Sequence, residues 1–396
     1  MTNTVLFDFN RKSLLPFTFT RPVADIRIGI LTNRQHWELL LETQSSSVTE
    51  DYLVKKFPAW KETENLFING SVIPTQELVD ATRSLKLGQR LLSKGIPLTA
   101  FAEGWPDPTS PYGKFRDIEF KGKVHILSNN WDIFTLADAV IREQFTLVTS
   151  GRKSAPISST NKIISPENVF LEAGAVVECA IINASTGPVY IGKGAEVMEG
   201  CTIRGPLALC EKATLKMSAK IYGATTIGPH CKVGGEVSNS ILFGYSNKAH
   251  DGFLGNSVIG EWCNLGADTN NSNLKNNYSD VQVYSFAKQE MVSTHLKFCG
   301  LFMGDHSKCG INTMFNTGTV VGVSSNIFGP GFPPKYIPSF SWGGFEDASR
   351  FKLDKAKDLA RQVFKRRGME FDSTEEAIFK AVFDMTESAN LPGSEK

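Results

Sequence analysis

The sequence predicts two folds in one chain: an α/β, Rossmann-like domain over residues 1–150 and a parallel β-helix over 165–328, followed by a short helical extension over 329–396. Three observations predict this. Strand-like apolar runs alternate with helix-periodic segments in the first third. An aliphatic residue then recurs every six residues at Ile191, Val197, Ile203, Leu209, Leu215, Ile221, Ile227 and Val233. Finally, Gly329-Pro330-Gly331-Phe332-Pro333-Pro334 is a breaker cluster that ends the rhythm.

In the α/β part, Val5 to Phe9 reads as a first strand and Ile26 to Leu41 carries helical spacing. Leu66-Phe67-Ile68 is a strand closed by Asn69-Gly70, and Pro74-Thr75 opens a helix through Leu78 and Val79. Val124 to Leu127 is a strand, and Trp131 to Phe145 an amphipathic helix. The alternation predicts a mostly parallel, helix-covered sheet.

A period of six belongs to neither a helix nor an ordinary strand; it is the mark of hexapeptide β-helices. Four positions after most of the aliphatics comes a smaller residue: Ala195, Cys201, Ala213, Ala219, Thr225, Cys231 and Val237. Each hexad makes one short flat face with both residues pointing inward. Three faces close a coil, and each coil buries its edges on the next. The rhythm begins at Leu171 and Val177 and returns at Ile259, Leu265, Met303, Cys309, Phe315, Val321 and Ile327. It lapses between Val233 and Ile259 and between Thr269 and about Gly300, which predicts loops leaving the prism. Two helices follow, about Ala348 to Arg367 and, from a capping box at Ser373 and Glu376, to about Glu387; Ser388 to Lys396 reads as a frayed end.

A chain of 396 residues exceeds one ordinary core. With 42 basic and 41 acidic residues, charge gives no ground for nucleic acid or an anionic membrane as partner. The opening Met-Thr-Asn-Thr-Val-Leu-Phe reads as a strand, not a leader, and no apolar run is long enough to cross a bilayer. Seven cysteines without CxxC spacing fit a reducing cytoplasm, with Cys201, Cys231 and Cys263 as compact packing residues.

The densest polar cluster is Lys248-Ala249-His250-Asp251-Gly252-Phe253-Leu254-Gly255, followed by Val258-Ile259-Gly260, Asn264-Leu265-Gly266-Ala267 and Asn273. Histidine is the natural base near neutral pH. An ammonium nucleophile must lose a proton before it attacks a thioester, amides can orient it, and a backbone N–H can hold the developing oxyanion. By residue type alone, His250 is equally a surface histidine.

The stretch from Asn239 to Asn273 resembles the acetyltransferase half of the bifunctional GlmU family and of related archaeal sugar-1-phosphate nucleotidylyltransferases. Its carriers are His250 five before Gly255, Val258-Ile259-Gly260, Asn264-Leu265-Gly266-Ala267-Asp268-Thr269 and Asn273. The resemblance implies that the β-helix is left-handed and trimeric and that His250 is the general base. It further implies that Lys232, Lys248, Phe253, Asn264 and Asn273 bind an amino-sugar-1-phosphate such as glucosamine-1-phosphate, and that Ala267 lies near acetyl-CoA. Phe253 stands where the family has Tyr, Ser238 where it has Lys, and Asp268 where it has Gly.

The first 150 residues resemble the family's nucleotidyltransferase domain more weakly. Asn10-Arg11-Lys12-Ser13-Leu14-Leu15-Pro16 replaces a Gly-rich phosphate loop, with Arg21 and Arg27 adding positive charge. This implies UTP or dTTP contacts at Arg11, Lys12, Arg21 and Arg27. Mg2+ would lie at Asn130 (or Asn129), with Ser71 standing where the family has a metal-binding Asp. Across most of its length the chain resembles a divergent group of GlmU-family proteins that share Leu14-Leu15-Pro16, Thr20-Arg21-Pro22, Thr49-Glu50-Asp51-Tyr52 and Ser341-Trp342-Gly343-Gly344. The expected function is acetyl-CoA-dependent acetylation of an amino-sugar-1-phosphate for nucleotide-sugar synthesis, with sugar-1-phosphate nucleotidyl transfer by the N-terminal domain as a second activity that the replaced phosphate loop leaves weak, altered or absent. Alternatives are a monofunctional acyltransferase with a non-catalytic N-terminal domain, a zinc enzyme using His250, His295 and His306, and a non-catalytic trimeric scaffold.

Overall fold

The computed structural model describes residues 3–110, 115–344 and 348–387, so the end read as frayed lies outside the described residues. The chain divides into two compact units. The first comprises residues 1–14, 20–26 and 31–129; the second comprises 15–19, 27–30 and 130 onward.

The first unit is a mixed six-stranded sheet. Ser45–Val48, Asn3–Phe7 and Glu64–Asn69 are parallel neighbours, after which Ile96–Glu103 runs antiparallel to Glu64–Asn69. The sheet is mostly parallel, as expected from sequence, with Gln89–Ser93 also parallel to Arg116–Glu119; the exception is Ile96–Glu103, antiparallel to both its neighbours. The cause is the turn at Lys94-Gly95, where both residues have positive φ (50° and 79°). Such a turn matches strand twist and favours an antiparallel hairpin, here with Gln89–Ser93. Helix Asn33–Leu41 starts at a capping box of Thr32 and Gln35. It buries Trp37, whose indole N–H donates to the Val72 carbonyl at 2.8 Å. Helix Gln76–Arg83, capped by Thr75, adds Leu78 and Val79 to a core with Leu6, Ile68 and Leu98.

The second unit is a parallel β-helix of the hexapeptide class. Its three faces are stacks of parallel strands, and each residue pairs with its counterpart in the next coil. On the first face Ile203 pairs with Ile221; on the second Leu209 pairs with Ile227; on the third Leu215 pairs with Val233. The hexad aliphatics point inward and form one continuous core with the small corner residues Ala195, Cys201, Ala213, Ala219 and Cys231. Each buried aliphatic contributes roughly 1.5–3 kcal/mol. The corners are tight because adjacent strands lie only about 4.8 Å apart.

The stretch from Val233 to Ile259 stays in the prism instead of leaving it as a loop. Val233 pairs with Lys248 and Ile227 with Leu242, each only fifteen residues on, where the coils below advance by eighteen. The shortening comes largely at Gly234-Gly235, where the corner drops two residues and shifts the hexad phase without breaking the stack. A side chain at Gly235 would sit 2.9 Å from the Asp251 Cα, so only glycine lets the next coil settle there. The second lapse is a true excursion: residues 272–299 leave the prism and form a hairpin of Gln282–Ser285 with Glu290–Ser293. Just before it, the Asn271 side-chain amide accepts from Gly255 N and donates to Gly255 O, standing in for a strand backbone.

One corner is lined by His230, Tyr245, Trp262, His306 and Phe340, all left-handed with φ near +60°. Such backbone costs an ordinary residue roughly 1–2 kcal/mol, and stacking offsets it. His230 lies 4.7 Å from Tyr245, and Tyr245 4.2 Å from Trp262. The ladder docks helices Leu353–Arg366 and Ser373–Met385: Phe364 stacks on Trp262 at 4.0 Å, and Phe379 meets His306 at 4.8 Å. The second helix is capped by Asp372, which accepts from Thr374 N and Glu375 N, rather than by Ser373.

Candidate functional site

His250 occupies the corner between the third face (Asn247–Lys248) and the first face (Phe253–Gly255). Its side chain is exposed. The next coil stacks its own corner directly on this one: Asp268 N donates to Asp251 O at 3.1 Å, and Asn312 N to Ala267 O at 2.9 Å. Ala267 and Asp268 therefore lie one coil from His250 and Asp251. At Gly252 a Cβ would fall 2.2 Å from the Thr269 carbonyl, which locks this approach.

The other expected residues divide between the two faces that meet here. On the first face, the Phe253 ring and the Asn273 amide fill the space where a Gly255 Cβ would be, and Asn273 donates to Asn256 Oδ1 at 2.9 Å. On the third face, Lys232, Asn247 and Asn264 follow one another in register, all outward. The Asn247 Oδ1 accepts from Arg367 at 3.2 Å.

Lys248 is corrected as a substrate contact. It takes the inward register position of Val233, is 1 % exposed, and its ammonium serves backbone carbonyls inside the prism. Burial lowers its pKa to about 8, opposed by Asp251, Cys309 and Asp268. Lys308, next to Asn264 in register, was missed from sequence because its coil follows the 272–299 excursion. Its ammonium donates to His306 O at 2.9 Å, and burial likewise lowers its pKa to about 8. Ser238, at the family's Lys position, is buried.

The expected nucleotide contacts are mostly engaged elsewhere. Arg11 pairs with Asp8 at 2.7 Å and bonds Tyr52 at 3.0 Å and the Arg21 carbonyl at 3.0 Å. Thr49 bonds the same Asp8, so this cluster ties the ends of two parallel strands. Arg21 is 5 % exposed. Arg27 belongs to the second unit, where it bonds Ile30 O at 2.6 Å and reaches Cys210 Sγ at 3.9 Å. Only Lys12 is exposed. The cavity at these strand ends, about 350 Å³, is lined by Asp8, Glu50, Asp51 and Asp107, an acidic wall poorly suited to phosphates.

Nor do the residues fit Mg2+. Ser71 is fully buried and bonds Asn69. Asn130 is 5 % exposed and donates to Leu15 O at 2.7 Å. Among the described residues no group of three His, Cys, Asp or Glu side chains is arranged to hold a metal. Of the three histidines considered for zinc, His306 is packed among Trp262, Phe364 and Phe379, and His295 lies exposed beside Asp280. No helix among the described residues is long and apolar enough to cross a membrane.

Residues 4–153 match the family model described as Sugar nucleotidyl transferase. The chain is 27% identical over 246 residues to Bifunctional protein GlmU of Methanocaldococcus jannaschii, covering 62% of this chain and 51% of that protein. It is 33% identical over 143 residues to Bifunctional protein GlmU of Methanococcus aeolicus, covering 36% and 34%. It is 28% identical over 144 residues to the Bifunctional sugar-1-phosphate nucleotidylyltransferase/acetyltransferase of Sulfurisphaera tokodaii, covering 36% and 35%. The chain thus spans about half, or less, of the length of these relatives. The solved UDP-N-acetylglucosamine acyltransferase from Campylobacter jejuni covers 60% of this chain and 99% of its own at 14% identity, with a TM-score of 0.25, too loose a superposition to carry an argument. On these matches the chain carries a sugar nucleotidyl transferase family domain within residues 4–153 and is a distant relative of the bifunctional GlmU-type transferases.

Proposed function

We propose that the second unit transfers an acetyl group from acetyl-CoA to the amine of an amino-sugar-1-phosphate such as glucosamine-1-phosphate, with His250 as general base, in a cytoplasmic route to nucleotide sugars. The observation that carries this reading is an exposed imidazole on a corner whose backbone is fixed by the coils on both sides. In the proposed step the sugar ammonium gives a proton to the imidazole. The amine attacks the thioester carbonyl, the C–S bond breaks, the departing thiolate takes that proton from the imidazolium, and the new amide nitrogen releases its second proton to solvent. Asn273 and Phe253 on one face and Asn264 and Lys232 on the other are the proposed sugar-phosphate contacts, and Ala267 the proposed neighbour of the thioester. Replacing Phe253 by the family's Tyr would restore a hydroxyl, so its absence favours an acceptor recognised differently at that point.

The contacts lie on two faces of a convex corner, which needs a second wall. A homotrimer with the site between neighbouring prisms supplies one, as closed symmetry allows. Light scattering is expected to report three chains, and a monomer at working concentration contradicts this.

For the first unit we favour a non-catalytic role, supported by the engaged Arg11 and by the acidic cavity wall. Pyrophosphate release from UTP or dTTP with Mg2+ and sugar-1-phosphates is expected to stay at background. Rapid release would show that other residues replace the phosphate loop.

Replacing His250 by Asn is expected to slow acetylation about 10²–10⁴-fold, the usual contribution of a positioned base. Acetyl-CoA binding should hold. A variant that liberates CoA thiol at the wild-type rate removes His250 from the mechanism.

A further inference from the structure

Lys248 breaks the rule of the prism. Every neighbouring coil places an apolar residue at its inward third-face position, Val233 below and Leu265 above, and both are buried. At 248 that position holds a lysine, 1 % exposed. A buried ammonium is costly unless it is hydrogen-bonded. Lys248 meets that condition completely. Its Nζ donates to the carbonyls of Gly234 at 3.2 Å, Asp251 at 3.1 Å, and His250. An ammonium has three donors and no acceptor, and here three carbonyls receive them.

Two of the three carbonyls belong to the His250 corner itself. The His250 carbonyl turns inward because the corner below is short: Gly234-Gly235 lets the His250–Gly252 backbone drop close, with that carbonyl 3.0 Å from where a Gly235 Cβ would lie, while the Asp251 carbonyl also accepts from Asp268 N of the next coil at 3.1 Å. A backbone carbonyl facing an apolar interior needs a donor. With the His250 carbonyl fixed inward, its side chain is directed outward, where it is exposed.

We propose that Lys248 is the positioning residue of the His250 corner: its ammonium, inside the prism, clamps the His250 and Asp251 carbonyls to Gly234 and so sets where the imidazole stands. The inference rests on the reading of His250 as the base. Lys248 touches neither substrate nor reacting atoms. It differs from an ordinary core residue in that two of its three partners are the backbone of the candidate site itself. Losing the ammonium leaves buried carbonyls short of a donor, which costs stability, and frees the corner to shift, which costs rate.

The test compares Lys248→Met, Lys248→Gln and His250→Asn in the full chain. Each is followed by thermal unfolding, acetyl-CoA titration and the acetylation kinetics of glucosamine-1-phosphate. Lys248→Met is expected to fold but to unfold below the wild-type temperature, because buried carbonyls lose their donor, and to keep acetyl-CoA affinity and KM where it is folded. Its kcat should fall about 10–100-fold, the cost of an ångström-scale displacement. Lys248→Gln, which retains two N–H donors, is expected to lie between Met and wild type. A residue that only stabilised the fold would lower the melting temperature and leave the kcat of the folded enzyme unchanged. If His250→Asn is slow while a folded Lys248→Met keeps the wild-type kcat, the clamp is wrong and the base assignment stands. If His250→Asn itself is unimpaired, the base reading fails and the clamp goes with it. If neither Lys248 variant folds, the lysine serves the fold and not the site, and the proposal is overturned.

Discussion

A hexapeptide prism holds together because every coil must close on the one beneath it with the same narrow section. That constraint fixes one inward aliphatic per face and a small residue at each corner. It is visible in the unbroken core from Val169 to Ile337. It also explains the irregularities. Where a corner is shortened, as at Gly234-Gly235, the coil above must descend, and backbone groups that would face outward turn in. Something inside must then satisfy them. Here that something is Lys248, and the candidate site lies on the corner that was displaced.

The regular part of the fold was legible in the sequence because periodicity is a global signal. Ile191 through Val233, and then Met303 through Ile327, keep phase, and all point inward. What the sequence concealed was local. A two-residue deletion at Gly234-Gly235 shifts the phase and imitates a loop, although Val237, Leu242 and Leu254 keep their stacked places. The hairpin turn at Lys94-Gly95 lacks the usual asparagine or aspartate, so the one antiparallel strand of the first sheet was not read. The Asp372 cap was missed because Ser373 and Glu376 imitate a capping box one residue later.

The candidate site was legible in part. His250 stood out in a dense polar cluster, the roles of Ala267 and Asn273 came from the family resemblance, and the structure brings His250 and Ala267 to adjacent coils of one corner and Asn273 onto an adjoining face. Lys248 could not be understood from sequence, since a lysine beside a histidine looks like a ligand contact until register shows it facing inward. Lys308 was invisible because its neighbour Asn264 is separated from it by the excursion. Arg11 and Arg27 looked free because two of their partners, Tyr52 and the Cys210 thiol, are remote in sequence. Positive charge in a sequence becomes a phosphate site only if folding leaves it unspent, and here much of it is committed to holding strand ends and coils.

The central claim is that the second unit is built to use acetyl-CoA. Isothermal titration of the full chain with acetyl-CoA, with and without glucosamine-1-phosphate, tests this most directly. The account predicts saturable binding, one site per chain, and acetylated amino sugar in the cell afterwards by mass spectrometry. Absence of binding at millimolar acetyl-CoA, with no acetylated product, would contradict it and leave the prism as a scaffold.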